Sequence, residues 1–135
     1  MDTKVIYNED LHFEHEQWKR ELAFWEDELK IFKHRLEDLY SKWSAKELLT
    51  KLDYFENRFK IHETKIDGFK ERIYSHELNM SRQYEAGENV IDRLSFEYHV
   101  DFREQIQVQR QMYHDLKKEF FSFLTEKMKS ASGRQ

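Results

Sequence analysis

The sequence predicts an all-α protein, an elongated antiparallel up-down-up three-helix bundle with coiled-coil-like heptad packing. The chain of 135 residues has no Pro and only three Gly, so it lacks the turn chemistry that a sandwich or barrel needs about every ten residues. Its 11 Phe, 7 Tyr and 3 Trp require burial, which separates it from a disordered chain although charged residues make up 37 % of it. Apolar residues also recur at alternating steps of three and four in three separate series, each marking one stripe of a helix.

The first series is Leu11, His15, Trp18, Leu22, Trp25, Leu29, Phe32, Leu36, Leu39 and Trp43. It predicts helix one over about 9–43, with Asn8 as acceptor cap and Glu9 and Asp10 meeting the positive end of the helix dipole. Continued past Trp43, the stripe would carry Lys46, Thr50, Asp53 and Asn57, all polar, so the helix must break there. Ser44 and Glu47 have capping-box spacing, with Trp43 and Leu48 placed as a hydrophobic staple. The junction Ser41–Ser44 has no Gly or Pro, which leaves a continuous helix exchanged between two chains as the alternative.

The second series, Leu48, Leu52, Phe55, Phe59, His62, Ile66, Phe69, Ile73, His76 and Met80, predicts helix two over about 45–86. Gly87 supplies a left-handed stop. Gly68 lies inside this helix, either to admit a neighbouring helix closely or as a tolerated break in propensity. The third series, His99, Phe102, Ile106, Gln109, Tyr113, Leu116, Phe120 and Phe123, predicts helix three over about 90–129, capped by Asn89 with Asp92 in its first turn. Residues 130–135 read as a flexible tail, and 1–135 as a single helical-bundle domain. Beside the stripes lie Phe24, Ile31, Tyr54, Ile61, Ile91, Tyr98 and Met112, which either broaden the buried faces or serve a partner.

Composition restricts function. With no Cys there are no disulfides, thiolate ligands or cysteine nucleophiles. The first ten residues lack a secretory pattern and no apolar run approaches membrane-spanning length, so a cytoplasmic protein is expected. A net charge of −4 with interspersed signs argues against nucleic acid as a partner. Leu116, Phe120, Phe121, Phe123, Leu124 and Met128, flanked by lysines, have the makings of a membrane-surface helix, but core packing accounts for them.

The informative residues are the polar ones inside the stripes: His15, His62, His76, His99 and Gln109. If the staple sets the register, paired positions on helices one and two add to 91, which puts His15 level with His76. If the second connection is centred between Gly87 and Glu88, the corresponding total is 175 and His76 meets His99. One layer of His15, His76 and His99 is therefore predicted, with His12 one turn before His15. Three imidazoles from three helices can hold Zn, Cu, Ni or Fe and leave a fourth position for water. The same layer could instead be a satisfied polar core, bonding internally or to Tyr98, Asn79 or water and fixing register, or a pH-sensitive layer. His62, beside Leu29 and Tyr113, reads as structural polar core together with Gln109, while His34 and His114 read as surface residues.

Known metal motifs do not match. His-Glu pairs at His15, His62 and His76 lack a second His four residues on. Only Glu9 to His12 has the spacing of a di-iron carboxylate bundle. His12 to Glu16 has the His-x-x-x-Glu spacing of hemerythrin-like bundles, but their His-x-x-x-His element is missing. Nor is there a Gly-rich phosphate loop or a serine in a nucleophile elbow. The expectation is a non-enzymatic helical interaction or scaffold protein acting through its helix faces on a protein partner, a second copy of itself in a homodimer being one form of this. The competing expectation is a metal-binding bundle using His15, His76 and His99, with His12 as an additional ligand.

Overall fold

The computed structural model describes residues 8–85, 87 and 93–132. They form three helices, α1 (Asn8–Lys42), α2 (Lys46–Glu85) and α3 (Arg93–Ser132), with no strand among the described residues. The chain divides into two compact units whose boundary falls inside α3, after Arg103. No helix among the described residues is long and apolar enough to cross a membrane.

Each helix forms because its apolar residues share one stripe that must leave water. Every stripe residue is buried except Trp43, Leu48 and Leu116, which are half-buried. Glu9 and Asp10 in the first turn of α1 and Lys42 in its last match the dipole at both ends. The α1 ladder closes with Trp43 N–H donating to the Leu39 carbonyl at 2.8 Å. The Ala45 carbonyl then accepts from Leu48 and Leu49 at 3.1 and 3.0 Å, which makes Ala45 the N-cap position of α2. The cap therefore falls one residue beyond Ser44, because Trp43 still belongs to the end of the preceding ladder. Residues 43–45 are non-helical, so α1 and α2 are two helices and not one continuous rod.

Gly87 has φ of 91°, the left-handed conformation expected of a glycine stop. The proposed cap at Asn89, with Asp92 and Ile91, lies outside the described residues. At its other end α3 continues to Ser132, past the predicted limit, since Ser130, Ala131 and Ser132 contain no breaker. Gly68 has nothing within 4 Å of a Cβ built on it, so no neighbouring helix uses the missing side chain.

In the first unit α1 and α2 run antiparallel, since later positions on α1 meet earlier ones on α2. His12 pairs with Glu77, Glu26 with Lys70, Lys33 with Glu63 and Tyr40 with Asp53. Phe32 stacks on Phe59 with centroids 5.5 Å apart, in the predicted register. The cross-helix lysine–carboxylate pairs are partly solvated and contribute at most about 1 kcal/mol each, so apolar burial dominates the packing. In the second unit Ile106, Gln109, Tyr113, Phe120 and Phe123 are buried and Lys117 lies over the Tyr113 ring at 5.3 Å.

The flanking rings do not broaden the buried faces. Phe24, Ile31, Ile61, Tyr98 and Met112 are exposed and Tyr54 is half-buried. Each helix buries a narrow stripe, as in a coiled-coil seam, and leaves the next positions outside.

Candidate metal centre

The stripe of α1 advances one turn from Leu11 to His15 and another to Trp18, that of α2 runs from Ile73 to His76 and Met80, and His99 opens the stripe of α3. These placements bring His15, His76 and His99 into one layer of the first unit, with ring centroids 4.9 to 5.7 Å apart. The three rings are 1, 8 and 0 % exposed, so water scarcely reaches them. Leu11 and Met80, with Phe96 against them, close the layer on one side. Trp18 closes the other, stacked on His99 at 5.0 Å and tilted on His15 at 5.5 Å.

One nitrogen of each ring points to a common centre. His15 Nε2 lies 3.2 Å from His99 Nδ1 and 3.3 Å from His76 Nδ1, and all three atoms lie within 4.8 Å of one another. Zinc–imidazole bonds of about 2.0–2.1 Å give a tetrahedral edge of about 3.3–3.4 Å, so two of the three separations already match a shared ion.

Carboxylates lie beside the outer nitrogens of two rings. His15 Nδ1 lies 3.1 Å from Glu77 Oε2, and His99 Nε2 lies 2.5 Å from Glu14 Oε1. An ionised carboxylate only accepts, so it draws the single N–H of a neutral imidazole to its own side. Glu14 thereby fixes His99 Nδ1 as the acceptor nitrogen facing the layer, whereas Glu77 lies within ion-pair distance of His15 Nδ1 without a hydrogen bond to it and does not fix the tautomer of His15. Carboxylate–histidine support of the kind that Glu14 gives His99 is typical of metal ligands.

The electrostatics favour neutral rings. Burial pushes the His15 imidazolium below its ordinary pKa, against the opposing pull of Glu77. Burial likewise lowers His99, against Glu14. Burial alone would raise Glu14, but bonds from Arg103 and His99 outweigh it and hold the carboxyl below its usual range. Arg103 grips Glu14 with two bonds of 2.8 Å, which also raises the arginine further.

His12 stands outside the layer. Its Nδ1 lies 2.5 Å from Glu77 Oε1 and its Nε2 3.9 Å from Glu16, forming a separate, more exposed group. His62 is buried, tilted against Trp25 at 5.2 Å, and burial depresses its pKa to about 4. Gln109 and Tyr113 are buried in the second unit.

The supporting shell of Glu14, Glu77 and Arg103 was not visible as a set in the sequence. Glu14 and Glu77 are direct neighbours of His15 and His76, but each serves an imidazole on another helix. Only a fixed register reveals that exchange. Comparison of the chain with protein-family models, curated proteins and solved structures finds no match.

Proposed function

We propose that this is a metal-binding helical protein in which His15, His76 and His99 hold a transition metal ion such as Zn, Cu, Ni or Fe and leave a fourth position open. The observation that supports it most directly is the convergence of three buried ring nitrogens from three helices, His15 Nε2 lying 3.2 Å from His99 Nδ1 and 3.3 Å from His76 Nδ1, with the His99 ring oriented by Glu14 on its far side. Neutral imidazoles and ionised outer carboxylates are the protonation states that a divalent ion requires.

The test is metal content after purification, with melting temperature measured in chelator and after adding Zn, Ni or Cu. At an ion concentration of 100 Kd the native state gains about 2.7 kcal/mol, a rise of several degrees. No bound metal and no shift with any of these ions would remove the proposal.

A second role, as an interaction module, draws support from Phe24, Ile31 and Ile61, exposed beside the α1 and α2 stripes. Light scattering across concentration tests it in the self-associating form, and a monomer throughout counts against a homodimer.

A further inference from the structure

The His layer has three lateral gaps, one between each pair of helices, and they are filled differently. Glu77, backed by His12, occupies the gap between α1 and α2. Glu14, gripped by Arg103, occupies the gap between α1 and the start of α3. Hydrophobic side chains close the layer from both ends, as described above. The gap between α2 and the start of α3 is instead a groove of about 310 Å³, at the small end of ligand sites, walled by Arg72, Ser75, His76, Asn79, Ser95 and Tyr98. His76 is also the layer histidine with the most surface, and its ring meets Tyr98 edge-on at 5.3 Å.

Among the described residues no Asp or Glu lines this groove, whereas carboxylates fill the other two gaps. Its walls carry hydroxyl and amide donors and the Arg72 guanidinium, which lies over the Phe69 and Phe102 rings at 4.7 and 5.0 Å. With a divalent ion behind them, these groups suit an anion and repel a cation. We infer that the groove between α2 and α3 is the access route to the open metal position and takes a small carboxylate, whose oxygen becomes the fourth ligand. This rests on the metal-binding proposal.

The experiment uses the full chain loaded with Co(II), whose visible absorption reports coordination number and ligand exchange. Azide probes the open position and propionate probes the carboxylate class. Both are expected to change the cobalt spectrum saturably. Ser75→Trp or Asn79→Trp, on exposed wall positions, should abolish the response while cobalt affinity is retained. Arg72→Gln should weaken propionate by about tenfold through loss of a charge-assisted contact. A spectrum indifferent to both anions, or a response that survives both tryptophan variants, overturns the groove assignment. A response to azide but not to propionate overturns the carboxylate class. Failure to bind cobalt at all is a different result: it overturns the metal proposal, and this inference with it.

Discussion

His15 Nε2 and His99 Nδ1 face each other at 3.2 Å while the opposite nitrogen of each ring faces a carboxylate. In the proposed metal site the ligand set decides which ion would be held. Three imidazole ligands would favour a borderline transition ion over Mg or Ca, which take oxygen ligands.

The carboxylates make the first prediction. Glu77→Gln and Glu14→Gln each keep an acceptor near the outer nitrogen but lose its charge. Each should weaken metal binding by about 10- to 100-fold, the usual effect of removing such support. Competition against a chromophoric chelator measures this, and affinities equal to wild type would mean that the carboxylates do not orient the ligands. Replacement of a ligand itself, His99→Leu, should abolish the metal-induced rise in melting temperature.

Binding should also depend on pH in a defined direction. Metal competes with protons for the inner nitrogens, and burial lowers the imidazolium pKa of both His15 and His99. Proton competition is therefore expected only below about pH 6.5, the ordinary histidine value. Affinity titrated from pH 8 to 5 should be level at first and fall towards the acid end. A fall beginning well above pH 7 would contradict neutral rings.

His62 predicts a separate acid sensitivity. Its folded pKa is about 4 against 6.5 in the unfolded chain, so between these values the unfolded state binds the extra proton. Stability is undiminished above pH 6.5 and is lost as the pH falls towards 4, by about 3 kcal/mol over the whole window. Urea unfolding in chelator at pH 7 and pH 5 should show the loss. His62→Leu should flatten the slope, with the remainder coming from His15 and His99.

Two glycines should respond to alanine with opposite signs. Gly68 is helical and has open space where a Cβ would go, so Gly68→Ala is expected to stabilise by about 0.5–1 kcal/mol. Gly87 has φ of 91°, and Gly87→Ala should cost about 1–2 kcal/mol. Chemical denaturation of the two variants checks both signs at once.

The stripes were legible because burial here follows helical period closely. The buried polar residues among those described are His15, His62, His76, His99 and Gln109, the same five that interrupt the apolar series. The meeting of His15 with His76 followed from the short Trp43–Ala45 connection, which fixes the register of α1 and α2. The supporting shell was less accessible. Arg103 follows His99 by one turn, but its partner Glu14 lies on α1, and charged residues just off a stripe look alike until their neighbours are known. Which of the two readings of the flanking rings holds was not legible for a related reason. Phe24 and Ile31 differ little in sequence from core positions, and only the narrowness of the packed seam leaves them outside.

The spacing of the three histidines along the chain has a further consequence. His15 and His76 are 61 residues apart, and His15 and His99 are 84 apart. An ion bound to all three would act as a cross-link closing two long loops. By the chain-entropy reasoning applied to disulfides, one such closure removes about 4 kcal/mol of freedom from the unfolded state. A chain without Cys would thereby have a reversible staple, released by a chelator where a disulfide would need a reductant.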